Sequence, residues 1–255
     1  MTNKIRMGAL LGPVPNGAAP NFLVEQAKTY VAEGFNSLWA AQSMGRGFMW
    51  TDPFVTMTIA ATVSQDVEVG SAIVQIPLYH PGDFAHRVVS LHQLLGDRLI
   101  LGLGAGSTGA DFDLVGRDSE TRFSMFTESV AALRAAYESG SDANKALSPW
   151  PHMTTPPKLF FGTWGKGVER AVQEFDGWIA SGHYRSVEEL EASAVRYHAA
   201  GGGRAIVSTL MIDGDTDLGE FREKLARFAE AGFNDAVVLI QPGGPAPDVV
   251  RKLTD

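Results

Sequence analysis

The stretch Phe161-Gly162-Thr163-Trp164-Gly165-Lys166-Gly167 holds residue types that bind an oxyanion. An apolar run ends, small residues bare the backbone, and helical spacing resumes at Val168, so the first amides of a helix point at the loop. Lys166 adds a mobile positive charge and Thr163 a hydroxyl donor. The spacing is not that of a Walker loop, which needs G-x-x-x-x-G-K-[ST]. Phosphate binding is the chemistry these residues could do; the alternative is an ordinary turn with a surface lysine. A second cluster, Gly104-Ala105-Gly106-Ser107-Thr108-Gly109, matches G-x-G-x-x-G. A dinucleotide fingerprint opens a helix at once and belongs to the first strand of its domain. Here residues 111–116 read as further loop, so the glycines either let the backbone approach a ligand or simply make a tight turn.

Groups able to move protons are few. Histidines stand at 80, 86, 92, 152, 183 and 198, and no pair forms an H-E-x-x-H helix face. His86, His92 and His198 fall in helical stretches, where an outward, solvated ring is expected. His80 and His183 follow strands and are acid–base candidates. No serine occupies a G-x-S-x-G elbow, which disfavours a hydrolase. The absence of cysteine excludes disulfides, thiolate metal sites and thiol nucleophiles, and fits a reducing compartment. With 29 acidic against 21 basic side chains the net charge is −8, which argues against a nucleic-acid surface. No run reaches the ~20 apolar residues of a membrane span. The opening Met1-Thr2-Asn3-Lys4-Ile5-Arg6 has neither the apolar run nor the small-residue cleavage site of a secretory signal, so none is expected. A cytoplasmic globular chain with no metal site is expected.

The elements that must position these residues alternate. Short β-rich runs at 5–11, 37–41, 67–74, 98–103, 158–161, 178–180, 205–212 and 236–240 are each followed by helical periodicity. The helices are expected near 22–33, 53–63, 81–95, 120–137, 168–175, 187–200, 218–231 and 247–253. Asp52-Pro53 reads as N-cap and first helical residue, and Gly34 as a C-terminal stop. Residues 139–157 read as irregular. Eight strand–helix units make an α/β chain of the (β/α)8, or TIM-barrel, class, one domain over residues 1–255; an open doubly wound sheet is the runner-up. In a barrel, ligands sit at the C-terminal ends of the strands.

With these loops in place, the chain resembles the bacterial luciferase-like family of flavin and deazaflavin oxidoreductases over nearly its whole length. The motifs are Gly34-Phe35-Asn36-Ser37-Leu38-Trp39, the exit of the third strand to His80-Pro81, and Gly96-Asp97-Arg98-Leu99-Ile100-Leu101-Gly102-Leu103-Gly104-Ala105-Gly106. Arg122 with Phe126 and Glu128, Pro156-Pro157 through Gly162, and Asp176-Gly177-Trp178 complete the set. The resemblance implies a luciferase-like TIM barrel holding FMN or coenzyme F420 at its C-terminal mouth. It also implies a non-prolyl cis peptide against the cofactor ring at Ala72-Ile73, with Val74 and Gln75 next. The cofactor phosphate would lie after the fifth strand, at Gly162, Thr163, Trp164, Gly165 and Lys166. Gly104 and Gly106 would let the backbone approach the cofactor.

Two departures shape the expected activity. Many members carry an acidic residue or histidine after the second-strand tryptophan, whereas Trp39 here is followed by Ala40-Ala41-Gln42. Gln42 can donate and accept hydrogen bonds but cannot shuttle a proton. No long insertion follows the seventh strand, so the lid that shields a peroxyflavin from water is missing. Resemblance to the compact branch therefore implies a coenzyme F420-dependent oxidoreductase moving hydride to or from a small organic substrate, with Gln42 and His80 as the polar groups near ring or substrate. An FMN-dependent monooxygenase and a non-catalytic flavin-binding protein are the alternatives. Arg46, Arg185 or Lys166 would attract the acidic cofactor. A homodimer through barrel-side helices is expected, the apolar helix at 53–63 contributing.

Overall fold

The computed structural model describes residues 4–45, 47, 50–138, 142–147, 153 and 155–255. Parallel strands β1 (Arg6–Leu10), β2 (Ser37–Ala40), β3 (Glu68–Ser71), β4 (Val74–Gln75), β5 (Leu99–Gly104), β6 (Lys158–Gly162), β7 (Gly177–Ser181), β8 (Arg204–Ile212) and β9 (Asp235–Ile240) pair in the order β3-β2-β1-β9-β8-β7-β6-β5-β4. A further β3–β5 pairing closes the sheet. β3 and β4 are two pieces of one stave, both on β5, so the nine strands fill the eight positions of a closed barrel. The third strand, expected as one run over 67–74, is thus interrupted at Ala72-Ile73.

Helices α1 (Phe22–Ala32), α2 (Pro53–Val63), α3 (Pro81–Leu95), α4 (Gly109–Leu114), α5 (Arg122–Tyr137), α6 (Asp142–Leu147), α7 (Gly167–Glu174), α8 (Val187–Ala199), α9 (Leu218–Glu230) and α10 (Pro247–Arg251) follow the strands. Local chemistry sets their ends. Asp52 accepts from the amides of Phe54 and Val55, with Pro53 inside the first turn. Ser186 and Glu189 form a reciprocal capping box on α8. Two expectations need correction. The 111–116 stretch is not all loop: α4 starts at Gly109 because Phe112 and Asp111 are drawn into the interior, both with no exposure. The irregular passage at 139–157 contains α6, and His152 lies outside the described residues.

The core has two layers. Strand residues such as Met7, Val69, Leu101 and Ala236 pack outward against the helices. Leu10, Trp39, Ile100, Phe160, Ile179, Ile206, Val237 and Leu239 form a separate cluster that fills the barrel. Trp39 plugs it, and Gly8 and Gly70 make room: a Cβ at Gly70 would stand 2.5 Å from the indole. The N-terminal end is closed by charge. Arg204 bonds both oxygens of Asp235 at 2.7 and 2.8 Å and both of Glu68 at 2.8 and 2.9 Å, while Arg6 reaches Glu68 at 2.6 Å. Each of these four residues opens its strand, so the barrel is plugged at that end and ligands are left the other.

Candidate functional site

At the C-terminal mouth the Ala72-Ile73 peptide is cis, and it is the one non-prolyl cis bond among the described residues. The Ala72 amide donates to the Ala40 carbonyl at 2.8 Å, tying the bulge to the end of β2. The Ile73 side chain lies across the neighbouring staves, over Gly104 and Gly162, where a Cβ at either glycine would overlap it. Those two glycines therefore serve the bulge, and Ile73 with Ala72 forms an apolar shelf beside the inner cluster. Val74 is fully buried and packs outward with the helix layer.

A hydrogen-bonded chain runs beside this shelf. Gln42 Oε1 accepts the backbone amide of Gln75 at 2.7 Å, and Gln42 Nε2 donates to the Tyr79 hydroxyl at 2.9 Å. The backbone donor fixes which end of the Gln42 amide faces where, so its remaining N–H is available to an acceptor. Gln75 Nε2 donates to Asp111 at 2.8 Å, and Gln75 Oε1 is buried without a partner. Gly106, at φ 85°, passes so close that a Cβ there would stand 2.7 Å from that oxygen. Burial, with Asp52 adding to it, pushes the Tyr79 phenol well above its ordinary range, so it keeps its proton at neutral pH.

His80 is not part of this chain. It is exposed and its Nδ1 accepts the Gly82 amide at 3.2 Å, capping α3. His183 is exposed, edge-on to Tyr184. Two other histidines depart from the solvated rings expected of them. His92 sits half-buried 3.2 Å from the Tyr137 hydroxyl, and burial lowers its basicity. His198 lies between the carbonyls of Gly202 and Gly232, at 3.0 and 3.1 Å, where it ties two helix ends together.

The exits of β6 and β7 come together on one side of the mouth. Gly165 has φ 60° and nothing within 4 Å of a would-be Cβ, so the backbone there is bare. Thr163 packs against Gly167 at the start of α7, and its carbonyl accepts from the Trp178 indole at 2.9 Å. Trp164 is 68% exposed, and the Arg185 guanidinium lies 3.8 Å above its ring, with Nε buried and unpartnered. Lys166 is exposed and makes no hydrogen bond or ion pair among the described residues. Bare backbone, an uncommitted lysine and an arginine with an orphaned N–H fit an anionic group. Arg46, the other candidate cation, lies outside the described residues.

Sequence reasoning gave no role to Gln75, which it placed only at the strand end, and missed Asp111 and Tyr79. Asp111 was hidden because an acidic residue beside glycines reads as loop, and only tertiary packing draws it inside. Tyr79 stood next to His80, the residue type that attracts attention at a strand exit.

A family model described as luciferase-like monooxygenase matches residues 5–235. Among curated relatives, 4-hydroxyprotoasukamycin monooxygenase of Streptomyces nodosus subsp. asukaensis is 32% identical over 126 residues, covering 47% of this chain and 34% of that protein. The 5,10-methylenetetrahydromethanopterin reductase of Methanolobus tindarius is 28% identical over 112 residues, covering 44% and 33%. The matches thus span about a third of these relatives' length. Among solved structures, an F420-dependent secondary alcohol dehydrogenase in complex with an F420–acetone adduct superposes with TM-score 0.73 at 17% identity, covering 98% of both chains. The oxygenating constituent of 3,6-diketocamphane monooxygenase from Pseudomonas putida, in complex with FMN, gives 0.65 at 16% identity, covering 90% and 79%. Both are likenesses of fold.

Proposed function

The chain belongs to the luciferase-like monooxygenase family, and from that premise we propose that this oxidoreductase uses coenzyme F420 to move hydride to or from a small organic substrate. The observation that carries the choice of cofactor is the connection between β8 and α9. It spans only residues 213–217 and is folded on itself, Asp213 and Thr216 bonding each other through backbone and side chain. So short a turn cannot cover the mouth, and an oxygenating flavin needs water kept out. Hydride transfer needs orientation more than a lid.

The deazaflavin supplies a two-electron hydride donor or acceptor. The chain's residues supply the rest. Ala72 and Ile73 would support the ring, leaving space beyond it for the substrate. Gly162, Thr163, Trp164, Gly165 and Lys166 would hold the phosphate, with Arg185 beside them. Gln42 offers its free N–H to an oxygen or nitrogen acceptor, and Tyr79 orients that amide. Oxidation of an alcohol to its ketone would give up a hydride to the cofactor and the hydroxyl proton to water, and ketone reduction would take up both. We also propose a homodimer through the barrel-side helices, α2 contributing through its exposed Val55.

The second reading is an FMN-dependent monooxygenase, favoured by the likeness to the diketocamphane enzyme. Aerobic turnover with each reduced cofactor separates the two. The proposal expects deazaflavin oxidation that tracks ketone reduction without oxygen uptake; oxygen uptake with reduced FMN and incorporation into product would overturn it.

A further inference from the structure

Strand β8 changes register part-way along. Ile206 and Val207 pair with Asp235 and Ala236, while Leu210, Met211 and Ile212 pair with Val238, Leu239 and Ile240. Ser208 and Thr209 therefore stand opposite the single residue Val237, a β-bulge. Thr209 has φ 59° and is the one non-glycine residue with positive φ among those described. A β-branched side chain is disfavoured there, and such outliers cluster at functional sites.

The extra residue reverses the strand's alternation. Ile206 faces the barrel interior and Val207 the helices. Beyond the bulge, Leu210 and Ile212 pack with the helix layer, which returns Met211 to the inner face beside Leu239. Without the bulge, Met211 would point into the helices. It is instead 41% exposed, its sulfur 3.2 Å from Gln241 Nε2.

The bulge also has a defined place on the ring of staves. From β3 to β8 is four steps through β2, β1 and β9, and from β4 to β8 is four steps through β5, β6 and β7. It stands across the mouth from the Ala72-Ile73 shelf. Alternation from Ile179 and Ile206 turns Ser181 and its register partner Ser208 inward, and Thr209 stands with Ser208 opposite the inner Val237. With Met211, this wall carries hydroxyls and a thioether and no charge. Ser208 donates to the Ala180 carbonyl at 3.2 Å, but among the described residues Thr209 Oγ1 reaches only Ser208 Oγ, at 3.5 Å, the outer limit of a hydrogen bond.

We propose that the β8 bulge is the substrate wall of the site: the Thr209 hydroxyl bonds the oxygen of an uncharged ketone or secondary alcohol whose carbon skeleton lies on Met211. This rests on the hydride-transfer reading above and adds its specificity-determining residues. A hydroxyl both donates and accepts, so Thr209 serves the ketone and the alcohol alike.

The test measures coenzyme F420 binding first, then titrates the loaded protein with cyclohexanone, following the visible absorption of the bound cofactor. Saturable perturbation is expected in the wild type. Thr209→Val should weaken cyclohexanone binding about 3- to 10-fold, the worth of one neutral hydrogen bond, with F420 affinity unchanged. Met211→Ala, at an exposed position, should weaken it without affecting folding. Thr209→Gly relieves the positive φ and removes the hydroxyl, so it should melt higher than the wild type yet bind cyclohexanone as weakly as Thr209→Val. A raised Tm with unaltered cyclohexanone affinity would make Thr209 a structural residue only and overturn the proposal, as would unaltered affinity in Met211→Ala. No saturable response in F420-loaded wild type would overturn the ketone assignment. Failure to bind F420 at all registers before the probe is added; it refutes the hydride-transfer reading, and the substrate wall with it.

Discussion

Ile73 occupies the space that a side chain on Gly104 would need, its Cδ1 lying 2.5 Å from the position of the missing Cβ. The same side chain covers Gly162 on the next stave, so one residue of the bulge is seated on two glycines from two other strands. Gly162→Ala should therefore destabilise the fold by about 1–3 kcal/mol through overpacking. In an Ile73→Ala background the added methyl has room, and its cost should largely vanish. Urea unfolding of the four proteins checks this, and strictly additive losses would contradict the seating.

The charge cluster at the other end of the barrel predicts a pH dependence. Burial alone would raise the Glu68 carboxyl, but hydrogen bonds and charge from Arg204, with Arg6, outweigh it and hold the group below its ordinary value of 4.5. A depressed folded-state value adds stability above the unfolded one and loses it as pH falls through the folded one. Stability should hold above about pH 5 and decline below about 4.5. Glu68→Gln should flatten that decline and lower the plateau. Arg204→Met should cost about 3–5 kcal/mol, because it strips the fully buried Asp235 of its closest partner. Thermal melts from pH 3 to 7 read all three proteins, and parallel curves for wild type and Glu68→Gln would contradict the assignment.

How much of this was legible in the sequence follows from which forces act locally. The eight strand–helix units, the Asp52-Pro53 helix start and the Gly34 stop rest on periodicity and capping, and the structure keeps them. The Ala72-Ile73 cis bond was reached through family resemblance; nothing in an Ala-Ile dipeptide announces it. Seating Ile73 on Gly104 and Gly162 joins staves far apart in sequence, so the glycines read as generic loop residues. The β8 bulge was invisible for a like reason: alternation in 205–212 is uniformly apolar or hydroxylic, and only pairing with β9 reveals the added residue.

Gln42 carries two hydrogen bonds that predict separable effects. Gln42→Ala leaves the Gln75 backbone amide without its acceptor and should cost about 1–3 kcal/mol. Gln42→Glu retains an acceptor for that amide but offers the substrate no donor. Its stability should stay close to wild type while kcat for hydride transfer falls and F420 affinity holds. Unfolding curves paired with single-turnover rates check this; a normal rate in the glutamate variant would remove Gln42 from the chemistry.

Lys166 tests the phosphate site. Loss of a hydrogen bond to a charged group costs about 1.5–3 kcal/mol, so Lys166→Ala should weaken cofactor binding roughly 10- to 150-fold. Because Lys166 makes no ion pair among the described residues, the melting temperature of the cofactor-free chain should not change. Gly165→Val should weaken binding further, since it crowds bare backbone held at φ 60°. Titrations at low and high salt distinguish this from a surface lysine, for which the dissociation constants would be equal at both.

We propose that a mouth with a short β8–α9 turn, a cis-peptide shelf, a donor amide at Gln42 and a cationic β6–β7 corner serves a deazaflavin. Equilibrium binding of the purified chain to coenzyme F420 and to FMN, read by fluorescence under identical conditions, tests it most directly. Tighter binding of coenzyme F420 than of FMN is expected. Micromolar binding of FMN with no measurable affinity for coenzyme F420 would contradict it.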